Sequence, residues 1–181
     1  MKQFRISLLA AAIAVSFASK GMAQDLQYGI IAGGNIPLGD LGSAVDHRLG
    51  LTVGGQLGIY YGNGHELRPR VDYTYYQGGW APVGDSFSRN TISNLGLGAD
   101  YVYYTEQRQQ GVFLAMGLGY QWWNVSPEHG SSTNQSGVSV AAGGGYRFNR
   151  TFSLEGRFVT GQFQSTNGQA NAIQILGIMR F

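Results

Sequence analysis

Apolar and polar residues alternate through most of the chain beyond residue 25. In Leu67–Tyr76, every second residue from Leu67 onward is apolar or aromatic, and the opposite positions begin with Arg68, Arg70 and Asp72. A period of two indicates a β-strand, because successive side chains point to opposite faces of a sheet. Three successive charges on one face do not fit a soluble core. The segment therefore predicts a strand with one apolar and one charged face.

Seven further segments show the same period. Their apolar positions are Leu26, Tyr28, Ile30 and Ala32; Leu51, Val53, Leu57, Ile59 and Tyr61; Leu95, Leu97, Ala99, Tyr101 and Tyr103; Val112, Leu114, Met116, Leu118, Tyr120 and Trp122; Val138, Val140, Ala142, Tyr146 and Phe148; Phe152, Leu154 and Phe158; and Ile173, Ile175, Met179 and Phe181. The opposite positions carry mostly small, polar or charged residues, although Leu176 and Ile178 blur the last segment. Eight strands are predicted.

The connections between these strands alternate in length. The expected connections are Pro37–Leu49 (long), Gly62–His65 (short), Gln77–Asn90 (long), Thr105–Gln110 (short), Trp123–Gln135 (long), Asn149–Arg150 (tight) and Gln162–Gln169 (medium). An even strand number, short periplasmic turns and longer outer loops are typical of outer-membrane barrels. Both chain termini would then lie in the periplasm.

The distribution of aromatic residues distinguishes a membrane barrel from a soluble one. A soluble lipocalin-type barrel also alternates, but it places apolar residues inside. Here aromatic residues lie near strand ends on the apolar face, as in an interfacial girdle. The girdle positions are Tyr61, Tyr73, Tyr75, Tyr101, Tyr103, Tyr120, Trp122, Tyr146 and Phe148. With no apolar run of 18 residues, we predict an all-β fold, a transmembrane eight-stranded antiparallel up-and-down β-barrel.

The N-terminus has the layout of a bacterial export signal. A short basic start, Met1–Arg5, precedes an apolar run, Ile6–Ala18, and then Gly21-Met22-Ala23 supplies small residues for cleavage. We expect residues 1–23 to be a signal peptide and residues 24–181 to form the barrel domain. Cleavage removes Lys2, Arg5 and Lys20, which leaves nine of the twelve basic residues, all arginine, against ten acidic ones.

Composition agrees with an exported membrane barrel. Only 12% of residues are charged, against about 25% in a typical soluble domain, and 29 are glycine. The sequence has no cysteine, which excludes disulfides, zinc–cysteine sites and cysteine nucleophiles. Gly-x-Gly runs such as Gly117–Gly119 lie inside predicted strands, so they are not phosphate loops. We expect no cofactor and no catalytic or metal site.

Together the export signal, the eight alternating strands and the terminal Met179-Arg180-Phe181 resemble the small outer-membrane barrels of the OmpX and opacity-protein type. The resemblance implies that Ile173, Ile175, Met179 and Phe181 form a C-terminal signal for the barrel-assembly machinery. It also implies a location in the outer membrane, contact with lipid and lipopolysaccharide, and a structural, surface-interaction or adhesion role. We expect a monomer.

A barrel of eight strands is only wide enough for side chains to fill it. The alternation places eight charged residues in the lumen, in the half nearer the periplasm: Arg68, Arg70, Asp72, Asp100, Arg147, Glu155, Arg157 and Arg180. Unpaired buried charges are costly, so we expect a paired network that closes the lower lumen. A narrow ion path is the alternative. Small and polar residues line the predicted upper lumen, which suggests a shallow crevice open to the outside.

Two enzyme classes occur on barrels of this size. The resemblance to lipid A palmitoyltransferases rests on His47 in the first outer loop and Asp85-Ser86 in the second. That family begins with an amphipathic helix and has an apolar upper lumen. Here the expected mature chain enters a strand almost at once, and its predicted upper lumen is glycine-rich and polar. The deacylase pattern His-x-Ser is matched by His129-Gly130-Ser131, but in a polar loop. We therefore expect a protein that is not an enzyme, with lipid A acyl modification as a less favoured alternative.

The outer loops are the remaining candidates for binding. They contain Trp80, Phe87 and Trp123 among small and polar residues, and loops commonly carry function on a rigid barrel. Their charges nearly balance, which argues against nucleic-acid partners. An extracellular ligand bound through the loops is a further expectation.

Overall fold

The computed structural model describes residues 25–77, 80–83, 86–106, 109–127, 132–162 and 168–181. The predicted signal peptide lies outside these residues. The described chain has one short helix and nine strands: β1 Asp25–Leu38, α1 Gly39–Ala44, β2 Gly50–Gly62, β3 His65–Tyr76, β4 Trp80–Val83, β5 Ser86–Tyr104, β6 Gly111–Pro127, β7 Thr133–Arg147, β8 Phe152–Gly161 and β9 Asn171–Arg180. No helix in this part of the chain is long and apolar enough to cross a membrane.

Eight of these strands close into a barrel. Each barrel strand pairs antiparallel with its neighbours in sequence, and β3 pairs directly with β5. The first and last strands complete the circle, with a register that runs from Gly29↔Arg180 to Leu38↔Asn171. Closure removes the free edges that an open sheet would leave. The predicted eight-stranded antiparallel up-and-down barrel is confirmed.

The structure revises the three long connections. Within Gln77–Asn90, β4 pairs with the beginning of β5, so this connection contains a hairpin outside the barrel wall. The expected loop Trp123–Gln135 is shorter, because β6 and β7 continue their pairing up to Val125↔Thr133. Helix α1 occupies part of Pro37–Leu49. The alternation of apolar and polar residues does not reveal these extensions. Paired strands that continue beyond the lipid and the barrel interior do not need an apolar face.

The barrel is apolar outside and polar inside. Met116 and Leu118 on β6 are each 67% exposed, whereas Arg68 and Glu155 are completely buried in the interior. The apolar faces predicted from the sequence lie on the outer wall, except that Ile59 is covered although it shares their parity. A soluble barrel has the reverse polarity. The architecture is therefore that of a transmembrane β-barrel.

Candidate functional site

The eight predicted lumen charges all lie inside the barrel. Seven are buried, and the Asp72 side chain is 13% exposed. Their positions follow from strand parity: Arg68, Arg70 and Asp72 occupy successive inward positions of β3, and Glu155 and Arg157 occupy inward positions of β8. Because the barrel is narrow, charges from opposite walls reach each other across it.

Six of these residues form a continuous chain of ion pairs. Arg68 Nη1 donates to Glu155 Oε2 at 2.6 Å, and Arg157 Nη1 lies 3.5 Å from Glu155 Oε1. The same Arg157 nitrogen donates to Asp100 Oδ2 at 2.8 Å. Arg70 then joins Asp100 at 3.4 Å and Asp72 at 2.9 Å. Each carboxylate therefore has at least one guanidinium partner, as buried charges require.

Two glycines make room for the carboxylates of this chain. A Cβ added at Gly96 would lie 2.8 Å from Asp72 Oδ1, and one added at Gly117 would collide with Asp100 Oδ1. A larger side chain at either position would overlap the carboxylate where it now lies, so the carboxylate would have to shift. The glycines opposite the charges are thus part of the packing that holds the ion pairs.

Glu66 is a further interior carboxylate, which was not among the predicted lumen charges. It is 3% exposed, and its Oε1 lies 3.4 Å from Arg68 Nε and 3.8 Å from Arg180 Nη2. Tyr104 donates its hydroxyl to Glu66 Oε2 at 2.6 Å. The signal was available, since Glu66 has the parity of Arg68, but the predicted strand began one residue too late. Five arginines therefore face four carboxylates among the described interior residues, instead of three.

Arg147 is buried but does not join the chain of ion pairs. Its guanidinium donates to Gln27 Oε1 at 2.7 Å and to Gln109 Oε1 at 2.9 Å. It also donates to the carbonyl oxygens of Asn149 at 3.1 Å and Arg150 at 2.7 Å. Among the described residues, no carboxylate lies within ion-pair distance of it. Arg147 instead connects the beginning of β1 to two short turns.

An apolar cluster lies below the charges, at the end of the barrel that carries the short turns. Val102, Tyr104, Phe113 and Ala115 pack together there, and all are at most 5% exposed. The Arg68 guanidinium lies 5.5 Å from the centre of the Phe113 ring, which joins this floor to the ion pairs by a cation–π contact. The inward parity of these residues was visible in the sequence, but their mutual contact was not.

A second apolar cluster occupies the opposite end, in place of the expected open crevice. Leu41 and Val45, at helix α1 and its C-terminal end, fold over the mouth of the barrel. They pack with inward residues of the strands, and the complete roof cluster is Leu41, Val45, Tyr76, Ile92, Trp123, Ala170 and Ala172. The small and polar upper residues noted in the sequence lie beneath this roof.

A small cavity remains between the charges and the upper barrel. Its volume is about 30 Å³, and its lining includes Arg70, Asp100, Arg157 and Gln174. A water molecule needs roughly 10–15 Å³ of cavity volume, so the cavity has room for one or two waters. It is far too small for an acyl chain or a sugar.

Most residues on which the enzyme hypotheses rest lie outside the described part of the chain. His47 is exposed beyond helix α1, and Asp85 and His129-Gly130-Ser131 lie outside the described residues. The side chain of Ser86 is likewise not described. No group of three or more His, Asp or Glu residues within the described ranges could hold a metal ion.

The predicted girdle residues lie on the outer wall near the strand ends. All are at least 41% exposed except Tyr120, which is half-buried and donates its hydroxyl to Ser136 Oγ at 2.8 Å. Several are in ring contact, including Tyr146 with Phe148 at 5.1 Å and Tyr120 with Trp122 at 4.9 Å. At the C-terminus, Ile173, Ile175, Met179 and Phe181 also point outward and are exposed.

Comparisons with known proteins agree on the fold. No family model matches the chain, and no curated protein sequence does. Among solved structures, Neisserial surface protein A is 20% identical with a TM-score of 0.60, over 86% of this chain and 97% of that one. The N-terminal β-barrel domain of Pseudomonas aeruginosa OprF is 14% identical with a TM-score of 0.56, over 87% and 99%.

A third similar structure is Ail, the attachment invasion locus protein of Yersinia pestis, in complex with the heparin analogue sucrose octasulfate. It is 13% identical with a TM-score of 0.58, over 87% of this chain and 97% of that one. These similarities show that the chain has the fold of small eight-stranded outer-membrane barrels.

Proposed function

We propose that the chain is an integral outer-membrane β-barrel that acts as a non-enzymatic surface protein, with a structural or adhesive role carried by its outer end. The observation that carries this proposal is the apolar outer wall, on which large side chains such as Leu51, Met116 and Leu118 are more than two-thirds exposed. Exposed apolar surface this extensive is unfavourable in water and favourable in lipid. The aromatic residues near both ends of the strands support a position across a bilayer.

We propose further that the lumen is closed. The roof cluster, the chain of ion pairs and the floor cluster follow one another along the barrel axis, and the cavity beside the charges has a volume of about 30 Å³ among the described residues. Each layer uses inward side chains from several strands, so closure does not depend on one residue. A closed lumen leaves the outer end as the part of the molecule that contacts partners.

A narrow ion path is the second candidate. It is favoured by the excess of one arginine among the described interior charges and by buried polar atoms on Gln56, Asn94 and Gln174 that have no hydrogen-bond partner there. Such atoms mark a polar interior. The two candidates differ in whether the roof and floor clusters stop ions.

Planar-bilayer recording on the refolded protein distinguishes them. We expect no discrete current steps from the wild-type barrel, because ions would have to cross two apolar clusters. A gel that shows the heat-dependent mobility shift of a folded barrel provides the control for refolding. The double variant Leu41→Ser/Val45→Ser opens only the roof, so we expect it to remain silent as well. Regular steps from the folded wild type would contradict the closed lumen and favour the ion path, and transport of sugars at porin-like rates would contradict both.

Further parts of the proposal concern partners and orientation. The outward C-terminal residues Ile173, Ile175, Met179 and Phe181 are proposed to be recognised by the barrel-assembly machinery, with both termini in the periplasm. The roofed end would then face outward. The strands β5 and β6 reach this end, and the segments between the strands there are proposed to contact extracellular ligands.

A further inference from the structure

A groove lies on the outer wall of the barrel near the roofed end. Its volume is about 380 Å³, within the range of pockets that take small ligands, about 300–1,000 Å³. We call it the outer-wall groove and define it by six outward-facing residues: Tyr73, Ser93, Leu95, Trp122, Asn124 and Asn134. None of them belongs to the interior, and Tyr73 and Trp122 are also members of the aromatic girdle.

Strand register arranges the groove in two rows. Tyr73, Leu95 and Trp122 are direct cross-strand neighbours, and they form an apolar and aromatic row. Two residues further from the membrane centre, Ser93, Asn124 and Asn134 are also direct neighbours and form a polar row. Side chains on one face recur every second residue, so both rows face outward together.

The polar row is already ordered by hydrogen bonds. Asn124 Nδ2 donates to Asn134 Oδ1 at 2.7 Å, and Ser126 Oγ donates to Asn124 Oδ1 at 2.6 Å. A side-chain amide has two donors and an oxygen with two lone pairs. Each amide nitrogen and oxygen named here takes part in only one of the hydrogen bonds given above, so the two asparagines have further donors and acceptors for a ligand. Fixed amides of this kind suit hydroxyl groups, which both donate and accept.

The chemistry of the groove selects its occupant. The groove residues include no charged side chain, which disfavours recognition of phosphate or sulfate groups. The tyrosine and tryptophan rings, which are both 43% exposed, offer flat apolar faces beside the amides. A sugar ring matches this pairing, since it has an apolar C–H face and a rim of hydroxyls.

The position of the groove identifies the source of the sugar. Below the apolar row, the outer wall continues with Leu97 and Leu118, which are 49% and 67% exposed and face lipid in the proposed barrel. A molecule in the groove can thus place acyl chains against these residues. We infer that the outer-wall groove binds the saccharide headgroup of a glycolipid in the surrounding membrane leaflet. This inference depends on the proposed function, because it requires the barrel to be inserted in a membrane.

Retention of glycolipid in nanodiscs tests the inference. The refolded protein is placed in phospholipid nanodiscs that contain a small fraction of an uncharged glycolipid, a diglucosyl diacylglycerol, and bound lipids are counted by native mass spectrometry after release from the disc. We expect the wild type to retain the glycolipid in preference to phospholipid. Trp122→Leu and Asn124→Leu/Asn134→Leu should each weaken retention about tenfold, as the loss of one or two net hydrogen bonds or an aromatic contact predicts.

The matched control is Tyr146→Leu, which removes an exposed aromatic residue at the opposite end of the outer wall. We expect it to leave retention unchanged. Equal retention of phospholipid and glycolipid by the wild type, or unchanged retention in the groove variants, would overturn the inference. Free glucose disaccharide that binds as tightly as the glycolipid would overturn its assignment to a membrane lipid. Loss of the folded gel band and of insertion would instead count against the proposed membrane barrel.

Discussion

Replacement of Glu155 by alanine is expected to lower the free energy of unfolding by about 3–5 kcal/mol. Glu155 is completely buried, and it accepts a 2.6 Å hydrogen bond from Arg68, which is also completely buried. The variant leaves the Arg68 guanidinium without its shortest ion pair in a site that water does not reach. The measurement is reversible unfolding by urea in lipid vesicles, followed by tryptophan fluorescence.

The control for this prediction is an exposed ion pair. Asp46 and Arg48 lie 4.0 Å apart with side chains 63% and 37% exposed, so Arg48→Ala should change the free energy of unfolding by less than about 1 kcal/mol. The double variant Arg68→Met/Glu155→Leu should recover most of the loss, because it removes both buried charges. A Glu155→Ala variant as stable as Arg48→Ala would show that the interior charges are solvated.

Arginine in place of Leu118 is expected to destabilise the barrel by about 2–4 kcal/mol in a bilayer. Leu118 is 67% exposed on the outer wall in the middle of β6. On a soluble protein such an exposed position would tolerate arginine within about 0.5 kcal/mol. The large expected effect arises only if lipid surrounds this side chain. Urea unfolding in vesicles gives the value.

Leu49→Arg is the matched control. Leu49 is 66% exposed, almost the same as Leu118, but it precedes β2 at the roofed end of the barrel. We expect this variant to unfold within about 0.5 kcal/mol of the wild type. Equal effects at Leu49 and Leu118 would argue that lipid does not contact the outer wall.

The barrel itself could be predicted from the sequence because lipid imposes a strong pattern. An outward residue such as Met116 must be apolar and its neighbour Gly117 must fit a crowded lumen, so a period of two persists along each strand. The same parity located the five arginines and three of the four carboxylates of the interior, all except Glu66. The narrow diameter requires that these charges pair with one another, but the individual pairs, such as Arg157 with Asp100, depend on the register of strands that are distant in sequence.

Other features could not be predicted because they depend on contacts between distant segments. The roof forms when Leu41 and Val45 meet Tyr76 and Trp123, and nothing local indicates that helix α1 folds over the barrel. Leu176 and Ile178 blurred the alternation because they pack inside against Ile31. An interior that is partly apolar weakens the pattern on which the prediction relies.

The polar row of the outer-wall groove is a further feature that the alternation could not predict. Asn124 and Asn134 lie beyond the ends of the strands predicted from alternation, because polar residues outside the lipid region lose the period of two. Their adjacency comes from the register of β6 and β7. The sequence therefore predicts the membrane-facing wall better than the polar surface that continues from it.

The central claim is that the outward face of each strand contacts lipid. The sequence contains no cysteine, so single cysteines introduced along β6 can each carry a unique spin label. In bilayers, we predict that labels at Leu114, Met116 and Leu118 collide with dissolved oxygen much more than with a water-soluble nickel reagent, whereas labels at Phe113 and Ala115 are shielded from both. Outward labels that collide mainly with the aqueous reagent would contradict the claim.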